Sequence, residues 1–251
     1  MSHHIVEVRN LCHVYPEGTA ALNDVSFRIT HGESVAIIGA NGAGKSSLLL
    51  HLNGCLTATR GEVHIGHTPL CAGTLPDIRR TVGMVFQDPD DQLFMPTVFE
   101  DVAFGPCNLG MTGLDVERCV SDALALVGAG HLRDKPPYNL SGGEKKRVAI
   151  ATVLSMSPDI LVMDEPTSGL DPFARRQLIG LMKDFHHTRI ITSHDLDMVY
   201  EVCERTIVLK GGEVAADGPT RDIFDDGELL KECRLEKPLS LQGCPVCGGI
   251  I

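Results

Sequence analysis

The chain has 251 residues, 43% of them apolar and 22% charged, and its 33 acidic and 22 basic side chains leave a formal net charge of −11. That length supports one or two domains with a real core, while the acidic balance argues against a nucleic-acid partner, whose phosphates call for a basic face. No apolar run reaches the roughly 18 residues of a bilayer span, "MSHHIVEVRN" lacks the apolar segment of a secretory signal, and nine scattered cysteines suit reduced thiols, so a soluble cytosolic protein is expected.

Residues 5–9 and 25–29 (Ile5, Val6, Val8; Val25, Phe27, Ile29) alternate loosely and read as half-buried antiparallel strands. "SVAIIG" (34–39) is a continuous apolar run, as expected of a strand buried on both faces of a parallel sheet. Ser46–Leu52 follows as a helix with Leu48, Leu49 and Leu52 on one face. Residues 85–106, "VFQDPDDQLFMPTVFEDVAFGP", show neither helical nor strand period, and Pro89 and Pro96 are expected to hold the backbone extended. A helical insertion is read over 107–135 (Val116, Val120, Leu124, Val127), then a helix over Gly142–Met156 that Pro158 stops. "ILVMDE" (160–165) and "RIITS" (189–193) are further buried strands, and 206–218 reads as a hairpin turning at Gly211–Gly212. Strands alternating with helices predict an α/β fold with a mainly parallel sheet.

"GANGAGKSS" (39–47) fits G-x-x-x-x-G-K-[ST] directly after a buried strand and at the opening of a helix. The loop from Gly39 through Asn41, Gly42, Ala43 and Gly44 to Ser47 lets backbone N–H groups face phosphates, and the helix N-terminus adds positive potential. Lys45 would reach the β- and γ-phosphates and the Ser46 hydroxyl would ligate Mg²⁺. Asp164, at the end of a buried strand, is placed for the Mg²⁺ shell, and Glu165 for general-base work on the attacking water. A strand-end Asp-Glu is more often simply solvated; the phosphate loop tips the balance. "LSGGE" (140–144) makes a second anion-binding helix start from Ser141, Gly142 and Gly143. One nucleotide needs only one such loop, so a second asks for an explanation.

The ordered set Tyr15, phosphate loop, Gln87, "LSGGE", Asp164–Glu165, "SGLD" (168–171) and His194 resembles the ATP-binding subunit of ABC transporters, to about residue 220. The resemblance implies a P-loop NTPase with a mainly parallel central sheet, an antiparallel β subdomain and a helical signature subdomain at about 100–157. It implies ATP as substrate with Mg²⁺ as cofactor, held by Ser46, Gln87 and Asp164. Tyr15 would stack on adenine, Gln87 would sense the γ-phosphate, and His194 would join Lys45 and Glu165 in catalysis. Ser141, Gly142, Gly143 and Asp171 would serve the ATP of the opposite subunit in a head-to-tail dimer. The segment after Gln87 would receive a coupling helix of a membrane subunit, with Phe94 and Met95 gripping it and Asp88, Asp90, Asp91 and Gln92 as a polar rim.

"FQDPDDQLF", "TVFEDVAFGPCNLG" and "LSGGEKKRVAIA" look like the energy-coupling-factor branch, especially its cobalt/nickel (CbiO-type) ATPases. Implied partners are a second copy or a second ABC ATPase, an integral-membrane coupling subunit and a substrate-binding membrane component, at the cytoplasmic face of the membrane. A vitamin importer of the same branch stays as the alternative. A soluble ABC ATPase of repair or translation would need a coiled-coil insertion or two ATPase units in one chain, and a P-loop kinase or GTPase leaves "LSGGE" unexplained. The ATPase domain is expected over 1–224, with 225–251 a short tail, disordered in part. Its Cys244-x-x-Cys247 offers two thiolates where structural zinc takes four ligands, and the histidine pairs at 3–4 and 186–187 read as surface.

Overall fold

The computed structural model describes residues 4–185 and 187–242. Cys244, Cys247, His3 and His186 lie outside the described residues. Two compact units form, one from the stretches up to Arg79 and from His187 onward, the other from the stretch between them.

In the first unit β1 (His4–Val14), β2 (Ala20–Thr30), β4 (Arg60–Ile65) and β5 (Thr68–Pro69) make an antiparallel sheet in the order β2-β1-β4-β5. Val6, Val8 and Leu11 stand opposite Ile29, Phe27 and Val25, all buried. Side chains alternate along a strand, yet Val8 and Leu11 are three apart. The extra residue is Asn10, in the left-handed region at φ 46, which bulges β1 and returns Leu11 to the core face. That bulge is why the alternation looks loose in the sequence.

The unit's parallel strands are β3 (Ser34–Ile38), fully buried, with β8 (Thr188–Thr192) on one side and β9 (Arg205–Lys210) on the other. β10 (Glu213–Pro219) returns antiparallel to β9 through Gly211 and Gly212, both at positive φ (59 and 84) as a tight two-residue hairpin requires. Helix α1 (Lys45–Leu52) sinks Leu48, Leu49 and Leu52, each stabilising by roughly 1.5–3 kcal/mol. α7 (Leu196–Val202), α8 (Thr220–Asp225) and α9 (Gly227–Glu232) complete the unit. Residues 225–242, read as a tail, are folded: Asp226 caps α9, Leu230 and Cys233 are buried, and the Ser240 N–H donates to Asp197 Oδ1 at 2.8 Å.

Helix α2 (Leu75–Thr81) carries the chain towards the second unit. There β6 (Val82–Val85) and β7 (Ile160–Asp164) pair in parallel, buried throughout. α3 (Val98–Asn108), α4 (Leu114–Leu126) and α5 (Gly142–Leu154) pack together through Val98, Val102, Val120, Leu124 and Val148, and Ser155 Oγ donates to the Val102 carbonyl at 2.9 Å. α6 (Pro172–Asp184) follows. The reading of 85–106 as extended and aperiodic is corrected. Pro89–Asp91 is a 3₁₀ turn capped by Asp88, and α3 begins at Val98 with the Thr97 hydroxyl accepting from the Glu100 N–H. Proline is tolerated in the first turn of a helix, which is where Pro89 sits.

Candidate active site

The phosphate loop runs from β3 into α1, and its last glycine shows why the motif demands that residue. Gly44 has φ 101, and a Cβ there would lie 2.5 Å from the Ala21 carbonyl oxygen. Lys45 arches back over the loop: Nζ donates to the Gly39 carbonyl at 2.9 Å and to that of Ala40 at 3.4 Å, and lies 3.2 Å from His194 Nε2. These carbonyls hold the ammonium at the mouth of the loop, where phosphate oxygens would replace them. Asn41, Gly42 and Ser46 are exposed, so the loop's tip and the Ser46 hydroxyl are open to a ligand.

Tyr15 is tied to this loop's helix by a 2.9 Å hydrogen bond between its hydroxyl and Ser47 Oγ. Beneath it sit two buried histidines that sequence reasoning missed. His13 meets the Tyr15 ring edge-on at 4.7 Å and the His51 ring at 4.6 Å. Each donates Nδ1–H to a backbone carbonyl, His51 to Ser47 at 2.7 Å and His13 to Thr57 at 3.2 Å, and each Nε2 is buried without a hydrogen-bond partner among the described residues. Burial pushes the His51 imidazole below its ordinary pKa, with His13 adding to the effect. The signal was spacing: His13 lies two residues before Tyr15, and His51 four after Ser47 on one helix face.

In the second unit Ser141 caps α5 in a capping box: its Oγ and N–H each donate to Glu144 Oε2 at 2.8 Å, while the Glu144 N–H donates to Ser141 Oγ at 3.4 Å. The Ser141 N–H and hydroxyl hold the Glu144 carboxyl below the usual carboxylate range. Gly142 is exposed and Gly143 half-buried at the same helix start. Asp164 ends β7 and Glu165 follows, both buried, with Glu165 in the left-handed region at φ 47. Asp171 caps α6, its Oδ1 accepting from the Phe173 and Ala174 N–H groups at 2.9 Å.

Gln87 is exposed after β6, and its carbonyl accepts 2.6 Å from Nζ of buried Lys146. Burial lowers the Lys146 pKa, opposed by Asp164, Asp88 and Glu165. In the following stretch Phe94 is 63% exposed and meets Phe104 edge-on at 5.1 Å. Met95 is half-buried, and Asp90 and Asp91 are exposed. Gln92 is a correction, because it turns inward rather than forming a rim. Its Nε2 donates to the Ala149 carbonyl at 2.8 Å and to Thr152 Oγ1 at 2.7 Å, and its Oε1 accepts from the Phe86 N–H at 3.1 Å. The buried Asp101 carboxylate accepts from the Phe94 and Met95 N–H groups, 3.0 Å each, which sets their backbone.

Ser46 in the first unit offers a hydroxyl, and Gln87 and Asp164 in the second offer an amide oxygen and a carboxylate, each a hard donor of the kind that suits Mg²⁺ better than a softer metal. Among the described residues no three His, Cys, Asp or Glu side chains gather as a metal cluster.

Residues 22–168 match the family described as ABC transporter. A putative ABC transporter ATP-binding protein of Geobacter sulfurreducens is 75% identical over 99% of this chain and 100% of its own length. The energy-coupling factor transporter ATP-binding protein EcfA of Methanocaldococcus jannaschii is 45% identical, over 94% of this chain and 86% of that one. Among solved structures, cbiO1 of Clostridium perfringens, described as part of the ABC transporter complex cbiONQ, has a TM-score of 0.81 at 38% identity, covering 92% of this chain and 94% of that one. A dimeric ATP-binding cassette in a post-hydrolysis state with ADP and Pi has a TM-score of 0.78 at 31% identity, covering 86% and 99%.

Proposed function

This chain belongs to the ABC transporter family as one of its ATPases, and from that premise we propose that it energises an energy-coupling-factor importer of a transition-metal ion, cobalt or nickel. The observation that carries the reading is the likeness, along nearly the whole chain, to an energy-coupling-factor ATPase and to a subunit of cbiONQ. ATP is the substrate; its hydrolysis to ADP and phosphate is coupled to transport.

In this reading Tyr15 receives adenine on its ring, and the N–H groups of Gly39, Asn41, Gly42, Ala43, Gly44 and Ser47 cradle the phosphates. Lys45 exchanges loop carbonyls for phosphate oxygens. Ser46, Gln87 and Asp164 would hold Mg²⁺, which would supply positive charge against the phosphates. Glu165 takes a proton from the attacking water and His194 steadies the γ-phosphate. Ser141, Gly142, Gly143 and Asp171 act on the ATP of a partner, either a second copy or a second ABC ATPase; the dimeric cassette in the solved relative supports such pairing.

Asp91, Phe94 and Met95 dock the coupling subunit, and a separate membrane component binds the ion. Among the described residues no helix is long and apolar enough to cross a membrane; through its partners the chain sits as a peripheral subunit at the cytoplasmic face. A vitamin importer of the same energy-coupling-factor branch is the second reading. Tagged chain expressed with its membrane partners, followed by uptake of radioactive Co²⁺ or Ni²⁺, decides. ATP-dependent metal uptake is expected; uptake of a vitamin with no metal uptake overturns the metal assignment.

A further inference from the structure

The helix behind the signature carries an anomaly. Lys146, Ala149, Ile150 and Val153 share one face of α5 and are buried, as are Val148 and Ala151 beside them, so a lysine occupies a core position. Its side chain is 1% exposed. Burying an ammonium is costly unless it is paired and hydrogen-bonded, and methionine would fill the same volume without that cost. Lys146 is hydrogen-bonded: Nζ donates to the Gln87 carbonyl at 2.6 Å and to that of Phe86 at 3.5 Å, within the field of Asp88, Asp164 and Glu165. Two further links fasten the same segment to α5, Lys145 to Asp90 at 2.6 Å and Gln92 to the Ala149 carbonyl at 2.8 Å. Of the three, only Lys146 is fully buried and only Lys146 holds Gln87 itself.

Resting on the ATPase reading above, we propose that Lys146 is a positioning residue: it pins the Gln87 backbone to the signature helix, so that the Gln87 amide is presented to Mg²⁺·ATP from a fixed base. The short bond to the Gln87 carbonyl and the longer one to that of Phe86 hold the two peptide groups that flank the Gln87 Cα, from which the side chain departs. The Gln87 side chain then has only its own rotamers left to settle when metal and nucleotide arrive. Lys146 touches neither ligand, and its hydrogen bond to Gln87 is separable from its field on Asp164 and Glu165 by a mutation of Gln87 itself.

The test is a double-mutant cycle with Lys146→Met and Gln87→Ala in the full chain. It is read by the affinity for a fluorescent ATP analogue, in EDTA and in Mg²⁺, and by ATPase turnover. In EDTA, Lys146→Met binds within about twofold of wild type. In Mg²⁺ it loses the metal-dependent gain in affinity, and turnover falls about 10-fold to 100-fold, the range for residues that orient a metal ligand. On the Gln87→Ala background the same change costs less than about twofold. Should Lys146→Met fail to fold by thermal unfolding, Lys146→Leu, which likewise has no donor, carries the same cycle. An equal cost on both backgrounds, or a Lys146 variant equal to wild type, overturns the proposal. Wild-type protein that neither binds nor hydrolyses ATP overturns the ATPase reading and this proposal with it.

Discussion

Replacing Gln92 with alanine separates an inward strut from a surface rim. The Phe86 N–H would lose its acceptor at a half-buried position, costing about 1–2 kcal/mol. The Ala149 carbonyl keeps Thr152 Oγ1 as a donor at 2.8 Å, so its loss adds little. The vacated stem removes about 0.8 kcal/mol of buried methylene. The sum is about 2–3 kcal/mol, which at roughly 2–4 °C per kcal/mol lowers the unfolding midpoint by about 4–12 °C. Gln92→Glu should cost at least as much, because a carboxylate accepts from Phe86 but faces the Ala149 carbonyl with no proton to give. Urea titration followed by circular dichroism, beside a thermal scan, measures both variants. A Gln92→Ala protein within about 0.5 kcal/mol of wild type, the usual span for exposed positions, would refute the inward strut.

Glu165→Gln should keep ATP binding and lose roughly 10²–10⁴ in turnover; phosphate release shows it, and near wild-type turnover removes Glu165 from the mechanism. His51 gives a pH signature. Its folded pKa lies below the unfolded value, so the unfolded chain binds the proton more readily. Its contribution to stability is therefore complete above about pH 6.5 and is lost as pH falls through that value. His51→Phe should flatten the melting temperature between about pH 7 and pH 5, and an unchanged slope would mean that His51 binds its proton equally well in both states. Phe94→Asp should weaken co-purification with the membrane subunit by roughly 1–3 kcal/mol without affecting ATP binding; undiminished assembly returns the stretch to an ordinary surface.

Much of this was legible in the residues. The apolar runs at 34–38 and 160–164 are the fully buried parallel strands, because burial on both faces leaves no polar alternation to hide them. "GANGAGKSS" and "LSGGE" mark the turns that open α1 and α5. Where reading failed, a local rule went unused. "TVFE" (97–100) has the same S/T-x-x-E spacing as "SGGE" (141–144), and both caps open helices; the prolines around the first drew attention instead. Asp226 likewise caps α9 in a stretch too short to show a period. Gln92 and Lys146 could not be placed by polarity, since polar side chains turn inward only when the fold offers partners. Even so, Lys146 at i, with Ala149, Ile150 and Val153 at i+3, i+4 and i+7, was already on the apolar face.

The left-handed backbone at Glu165 has a consequence for anyone who sorts variants by thermal survival. A glutamate at φ 47 bears a penalty of roughly 1–2 kcal/mol that asparagine largely escapes, since its short side chain tolerates that region. Glu165→Asn should therefore melt higher than the parent while lacking the carboxylate proposed above as the base for the attacking water. On that proposal a library ranked by heat resistance would promote a chain without its base, and a consensus drawn from such survivors would erase the residue the fold is strained to present. At this position durability and work are opposed, and only a screen that reads hydrolysis keeps the glutamate.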